Sequence, residues 1–167
     1  MESEIMRRNK QIERENRLLA LINEHQCVEA TSKLMEESTL ANLVENHSNW
    51  YVRREALRNR HLRDGKVIEK ACFDENYMVR REAVKHLENQ DLLVYISRND
   101  PDAIVRISCI RRIKNRDIAV YAARHDPHWR VRKAAIEEIR DAEILSSLLK
   151  DERNEAIQDM IRARIGS

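Results

Sequence analysis

The chain has 167 residues and carries 31 lysine and arginine residues against 29 aspartate and glutamate residues, which gives a net charge of +2. This length suits one ordinary domain. Because the positive and negative charges nearly balance, the chain is neither strongly basic nor strongly acidic. With only two glycines and two prolines, the chain has almost no β-turn chemistry, so we expect an all-α protein. Its short apolar runs and polar amino terminus predict no membrane span, no secretory signal and a cytoplasmic location.

The first predicted element is a helix over residues 1–24. Ile5, Ile12 and Leu19 lie seven residues apart among alternating charges, but fewer than three heptads do not establish a coiled coil. The apolar residues concentrate toward the carboxy end of the segment. We therefore predict a capping helix whose carboxy half covers the first repeat, while its polar half lies in solvent or holds a partner.

A repeat domain is predicted for residues 25–167. The segments VRREALRNRHL, VRREAVKHL, VRISCIRRI and VRKAAIEEI begin at Val52, Val79, Val105 and Val131, at spacings of 27, 26 and 26 residues. One period further in each direction, QCVEATSKL from Gln26 and AIQDMIRARI from Ala156 keep the apolar spacing without the Val-Arg pair. Terminal repeats are expected to be atypical in this way.

Each repeat consists of two predicted short helices. Apolar residues fall at the valine and four, five and eight residues later, as in Val79, Ala83, Val84 and Leu87, which is one face of a helix. A second apolar helical stretch follows after three or four polar residues. Because isolated helices this short are marginal in water, their stability must come from stacking on neighbours.

The joint before each repeat helix carries an acidic residue. Five residues before the valine the chain has Asp74, Asp100 and Asp126, with Asp151 assigned to the last, degenerate repeat. Pro101 and Pro127 follow two of them, an arrangement typical of an N-cap aspartate with proline in the first helical turn. We therefore expect the repeat helices to begin at these aspartates.

The pattern DPxxxVRxxA, present from Asp100 to Val105 and from Asp126 to Ala134, resembles the HEAT-like repeats of the phycobilisome-lyase group and of many bacterial scaffold proteins. The resemblance covers about residues 26 to 165. It implies a right-handed α-solenoid of about five two-helix repeats, with a period near 26 residues, capped by the amino-terminal helix. Because this period is short for a HEAT-like unit, the leucine-rich repeat variant, which alternates α and 3₁₀ helices, is the second structural hypothesis. Its asparagine-proline turn and its iron–sulfur cysteine cluster are absent here.

The arginine after each valine forms a regular column of Arg53, Arg80, Arg106 and Arg132. A basic column of this kind is able to bind phosphates. The HEAT-like resemblance instead implies a structural ladder, in which these arginines pair with the acids between helices, Asp74, Asp100 and Asp126. The two-pronged geometry of an arginine–carboxylate pair favours the ladder.

Four of the seven aromatic residues lie in the two positions before a repeat valine, namely Trp50, Tyr51, Tyr77 and Trp129. By the HEAT-like resemblance, the start of this helix and the positions two and three after the valine face the concave surface. The predicted partner-binding residues are Trp50, Tyr51, Arg54, Tyr77, Met78, Arg81, Ile107, Trp129, Arg130 and Lys133. Aromatic residues, methionine and arginine are enriched in binding hot spots. The alternative, that the aromatic residues cover the seam between repeats, stays open.

Other chemistry-bearing residues form no recognisable site. The three cysteines Cys27, Cys72 and Cys109 include no CxxC pair, which is typical of free thiols in a reducing compartment. The six histidines show no metal-ligand spacing, and no glycine-rich loop suits a nucleotide. The histidines are His25, His47, His61, His86, His125 and His128. We expect no metal, no cofactor and no catalytic site.

These patterns favour a non-enzymatic scaffold that binds another protein or a peptide on its concave face. Glu55 and Glu82 stand beside the predicted basic contacts, and a phosphate-binding groove would tolerate them poorly. Binding of nucleic acid on the same face is the first alternative, and an accessory subunit of a lyase-type enzyme is the second. The sequence does not predict the oligomeric state.

Overall fold

The computed structural model describes residues 2–23 and 27–166, with side chains described for 4–22 and 28–166. Within these ranges the chain forms twelve α-helices and no strand, which confirms the all-α class. The helix that follows each repeat helix is α rather than 3₁₀. His25, Gln26 and the side chain of Cys27 lie outside what the structure describes.

The chain divides into two compact units, Met1–His86 and Leu87–Ser167. The described helices of the first unit are α1 (Glu2–Asn23), α2 (Cys27–Lys33), α3 (Glu37–Asn46), α4 (Trp50–Arg58), α5 (Gly65–Ala71) and α6 (Tyr77–His86). Those of the second unit are α7 (Gln90–Asn99), α8 (Ala103–Ile110), α9 (Arg116–His125), α10 (Trp129–Glu137), α11 (Ala142–Asp151) and α12 (Glu155–Ile165).

In the first unit, packing joins consecutive helices as well as helices two apart in the chain. Helix α3 packs on α4 and α5, and α6 packs on α4 and α5. The repeat valines Val52 and Val79 are fully buried between them, together with Ala56 and Ala83 four residues later. The apolar face predicted from the repeat is therefore the face that these helices bury, and its burial drives their packing.

The same arrangement recurs in the second unit. Helix α10 packs on α8 and α9, while α9 also packs on α11 and α11 on α12. Val131, Ala135, Ile136 and Ile139 are all buried in one apolar cluster with Ile157 of α12. Cys109 is buried where another repeat has Ala83, as its position in the repeat predicts.

The repeat helices do not begin at the aspartates, contrary to the prediction. Asp100 and Asp126 are the C-caps of α7 and α9, and α8 and α10 have Asp102 and His128 as their N-caps. The Asp100 carboxylate accepts a hydrogen bond from the backbone N–H of Asp102 at 2.8 Å. The Asp-Pro pair thus forms the turn between two helices, because the connection is only three residues long.

The last repeat is shifted by one residue from the predicted register. Ile157 is fully buried and takes the place of the valine, so the acid five residues earlier is Glu152 instead of Asp151. Asp151 ends α11, and its largely exposed carboxylate faces Arg124 at 3.3 Å. A glutamate in place of aspartate concealed this register in the sequence.

Helix α1 buries residues of its carboxy half, among them Glu15, whose carboxylate accepts a hydrogen bond from the backbone N–H of Met35 at 3.0 Å. Leu18 and Ile22 are buried, whereas Ile5, Met6 and Ile12 are exposed. Helix α1 packs against α2, and α2 packs against α4. The predicted division of the chain into 1–24 and 25–167 stays a prediction.

Candidate binding surface

In the first complete repeat, the arginine after the valine connects the loop that precedes its own helix to the acidic residue of the next repeat. Arg53 donates from Nε and Nη2 to the two carboxylate oxygens of Asp74 at 2.7 and 2.8 Å. Its Nη1 donates to the backbone carbonyls of His47 and Ser48 at 2.8 and 2.9 Å. Hydrogen bonding to Asp74 raises the pKa of Arg53 above its usual range, against the opposing effect of burial.

The second unit contains two such pairs. Arg106 donates to both carboxylate oxygens of Asp126 at 2.8 and 2.9 Å, and Arg132 donates to both oxygens of Glu152 at 2.9 Å. Hydrogen bonding to Glu152 raises the pKa of Arg132, and hydrogen bonding to Arg132 lowers that of Glu152. Glu152 was not predicted as a partner, because the last repeat has isoleucine in place of the valine and glutamate in place of the aspartate.

The pairs are shielded from water and their donors are already engaged. In the Arg106–Asp126 pair the side chains are 9% and 6% exposed, so Coulomb attraction is screened little. Arg80 also donates to the loop carbonyls of Asp74 and Glu75, at 3.0 and 3.1 Å. The arginine column therefore connects successive loops by hydrogen bonds. Because the guanidinium groups of Arg53, Arg106 and Arg132 already bind carboxylates, they are poorly placed to bind phosphates.

A surface rich in aromatic and basic residues covers the outward face of α4 and α6. We call it the α4–α6 surface. It comprises Trp50, Tyr51, Arg54, Glu55, Arg58, Tyr77, Met78, Arg81, Glu82 and Lys85. At 100° per residue, the positions two before and two after the buried valines Val52 and Val79 lie about 160° from them, whereas Glu55 and Glu82 lie only about 60° away and are buried. The structure thus places six of the predicted partner-binding residues on one surface of the first unit.

Arg54 is held within this surface. Its guanidinium lies 4.5 Å from the ring centre of Tyr51 and 5.5 Å from that of Trp50. It also donates to the Glu55 carboxylate at 2.7 and 3.1 Å. Trp50 and Tyr51 contact each other edge to face at 5.6 Å. Arg54 therefore fixes the orientation of the two aromatic rings.

Two buried carboxylates lie beneath the basic residues of the α4–α6 surface. Glu55 and Glu82 are each only 8% exposed, and Arg58 reaches both, at 3.3 and 4.0 Å. Burial alone would raise the pKa of Glu82, but contacts with His86 and Lys85 and the charge of Arg58 lower it to about 2. Both glutamates are thus neutralised by cations of the same surface.

Other groups on the α4–α6 surface remain exposed or unpaired. Tyr77 is 39% exposed, while Trp50, Met78 and Arg81 are half-buried. Arg81 forms no ion pair with any described residue, and its Nε, although buried, has no hydrogen-bond partner. A buried donor without a partner is unfavourable.

The outward face of α8 and α10 forms a comparable surface in the second unit. This α8–α10 surface comprises Ile104, Arg111, Trp129, Arg130, Lys133 and Glu137. The predicted contact residue Ile107 is partly buried and packs against the apolar cluster of the second unit. Trp129 is 40% exposed; His128 stacks beside its ring at 6.4 Å, and the Arg130 guanidinium lies 5.3 Å from its ring centre. Arg111 and Lys133 share Glu137 at 3.6 and 3.9 Å.

The structure adds exposed residues to these surfaces that were not predicted from the sequence. Ile104 is 40% exposed beside the predicted Ile107. Arg58, Lys85 and Arg111 occupy the position six residues after the valine, where all three are exposed. These residues recur at a regular spacing in the sequence, but the HEAT-like resemblance implies contacts only at the helix start and two or three residues after the valine.

The described residues contain other features outside the two surfaces. On α9, Tyr121 is 48% exposed, and its ring centre lies 4.8 Å from the Arg98 guanidinium and 4.8 Å from the His125 ring, beside a cavity of about 110 Å³. A cavity of about 300 Å³ lies beside α9, α10 and α11, but the ladder residues Arg132 and Glu152 line it. The side chains of Cys72 and Cys109 are buried. Among the described residues, no group of histidine, cysteine, aspartate and glutamate is placed to hold a metal, and no helix is long and apolar enough to cross a membrane.

Comparisons of the chain with protein-family models, with curated proteins and with solved structures find no match.

Proposed function

We propose that the protein is a non-enzymatic scaffold that binds another protein or a peptide through its α4–α6 and α8–α10 surfaces. The observation that carries this proposal is the exposure of Tyr77 and Trp129 on helices whose opposite faces form the core. Exposed aromatic side chains next to arginine are typical of binding hot spots, because they bring large contact area with few rotatable bonds.

The fold proposed for this scaffold is a right-handed α-solenoid of about five HEAT-like repeats. Its support is the repeated register of Val52, Val79, Val105 and Val131, together with the same side-by-side helix packing within each unit. Repeats that bury apolar faces only against their neighbours build such stacks. A cytoplasmic location is part of the proposal, because it would keep the cysteines reduced.

The experiment is affinity capture from an extract of the native host, followed by mass spectrometry and reconstitution with the purified partner. The test variant is Tyr77→Ala/Trp129→Ala. The matched control is Tyr95→Ala/Tyr121→Ala, which removes two exposed tyrosines from α7 and α9. The proposal predicts that the reconstituted complex is lost only with the test variant, while equal binding by both variants would contradict it.

The same preparation separates the alternatives. Nucleic acid in the captured material, released steeply by salt, would favour the nucleic-acid hypothesis. A pigment or other small molecule that copurifies would favour an accessory subunit of a lyase-type enzyme.

A further inference from the structure

Basic groups outnumber acidic groups on both surfaces. The α4–α6 surface has four of them, Arg54, Arg58, Arg81 and Lys85, but only two acids, Glu55 and Glu82. The α8–α10 surface has Arg111, Arg130 and Lys133, with Glu137 as its single acid. The protein as a whole is almost neutral, so this excess is a property of the surfaces rather than of the composition.

The acidic groups of the α4–α6 surface are buried, whereas its outer basic groups are exposed. Glu55 and Glu82 lie at the bottom of the α4–α6 surface, whereas the side chains of Arg58 and Lys85 are 56% and 49% exposed above them. The inner acids therefore hold the stems and inner nitrogens of the cations in place. A ligand approaching from solvent meets the outer, positively charged side of these groups.

Two cations have no acid of their own. Arg81 forms no ion pair with a described residue and leaves its Nε–H without a partner. Arg130 forms no ion pair with a described residue either, and its guanidinium rests on the ring of Trp129. Each surface thus combines an exposed aromatic ring with an uncompensated arginine, and a carboxylate is the natural partner of that guanidinium.

We propose that each of these surfaces binds an acidic peptide segment: on the α4–α6 surface its carboxylates bind Arg81 and its apolar side chains contact Tyr77, and on the α8–α10 surface Arg130 and Trp129 have the same roles. This inference rests on the proposed function and specifies its partner. The surrounding cations Arg58, Lys85, Arg111 and Lys133 attract the segment and speed its association.

A peptide fits the charge pattern better than a nucleic acid. The low pKa of Glu82, about 2, keeps its carboxylate ionised at neutral pH, directly beneath the cations. Its negative charge offsets that of a neighbouring cation, so the surface lacks the continuous positive charge that the evenly spaced phosphates of a nucleic acid require. A peptide spaces its carboxylates by sequence and presents apolar side chains between them.

The experiment is a display selection of random peptides against the full-length chain. The same library is selected against Arg130→Glu/Lys133→Glu, which reverses charge on α10. The control is Lys114→Glu/Lys150→Glu, which makes the same change in charge at two exposed positions away from both surfaces. Selected peptides are then titrated with the purified chain in increasing salt, beside a labelled single strand and a labelled duplex of DNA.

The inference predicts peptides enriched in aspartate and glutamate as well as in apolar residues. Selection against the α10 variant should lose the acidic peptides that bind the α8–α10 surface, whose affinity should fall at least about tenfold. All the acidic peptides should bind at least about tenfold more weakly in salt of about 1 M, where the Debye length is about 3 Å. The control variant should bind normally. Selected peptides without acidic enrichment would overturn the inference and leave the proposed function standing. Absence of any selected peptide, or tighter binding of DNA, would overturn both.

Discussion

The arginine that follows each repeat valine shows how a single side chain joins two repeats. Arg106 donates from Nε and Nη2 to the carboxylate of Asp126, and its Nη1 donates to the backbone carbonyl of Asp100 at 2.8 Å. Lysine has one point charge and cannot satisfy both sites at once. The geometry therefore explains why arginine, rather than any cation, is repeated at this position.

Replacing Arg106 by lysine tests this explanation. We expect Arg106→Lys to lower the free energy of unfolding by about 2 kcal/mol, because a buried carboxylate and a loop carbonyl lose their donors. Urea unfolding is the measurement. The control is Arg111→Lys, at an exposed arginine that pairs with Glu137, for which a change below about 0.5 kcal/mol is expected. Equal effects of the two substitutions would contradict the explanation.

Glu82 gives the stability of the protein a predictable pH dependence. Its pKa in the folded protein is about 2, below the ordinary value of 4.5. The ionised carboxylate therefore stabilises the fold above about pH 4.5, and this contribution is lost as the pH falls from there toward 2.

The variant Glu82→Gln should be less stable than the native chain at pH 7 by about 1 to 2 kcal/mol, after discounting for solvent screening. The difference should shrink as the pH is lowered through 4.5 toward 2. Urea unfolding of both proteins over this pH range measures it. A difference that does not change with pH would show that the charge of Glu82 contributes nothing.

At the scale of the helix, the short loop between α7 and α8 determines where α8 begins. Asp102 accepts a hydrogen bond from the backbone N–H of Ile104 at 2.7 Å and is the N-cap of α8. Asp100, two residues earlier, instead stabilises the turn by accepting a hydrogen bond from the backbone N–H of Asp102. Two aspartates in one three-residue loop thus have different roles.

Asp102→Ala should lower the free energy of unfolding by about 1 kcal/mol, because the cap is lost, whereas Asp102→Asn keeps an acceptor and should change it by only a few tenths. Thermal unfolding of both variants, compared with the native chain, is the measurement. If alanine and asparagine have the same effect, Asp102 does not cap α8.

The repeat helices were largely predictable because Val79, Ala83 and Leu87 follow the helical period and are buried accordingly. The helix starts were not, because an Asp-Pro pair suits an N-cap and an interhelix turn equally well in sequence. The Glu152 pairing was missed because the last repeat has lost its valine. The engagement of Arg54 with Glu55 and Tyr51 depends on side-chain conformation, which the repeat pattern does not specify.

At the scale of the molecule, each unit separates the residues that build the fold from those proposed to bind a partner. The valine positions and the arginine–carboxylate pairs are buried, and the aromatic residues at the helix starts lie on the opposite face. Tyr77 and Trp129 are the most exposed of the predicted aromatic contacts. If these two residues bind a partner, replacing them should change the free energy of unfolding only slightly.

The most direct test of this central claim is the urea unfolding of Tyr77→Ala and of Trp129→Ala, measured separately because the two residues lie in different units. The account predicts that each substitution lowers the free energy of unfolding by no more than about 1 kcal/mol, since only exposed stacking contacts are lost. A loss of about 3 to 5 kcal/mol, typical of a buried aromatic side chain, would show that these rings pack the seam between repeats and would contradict the account.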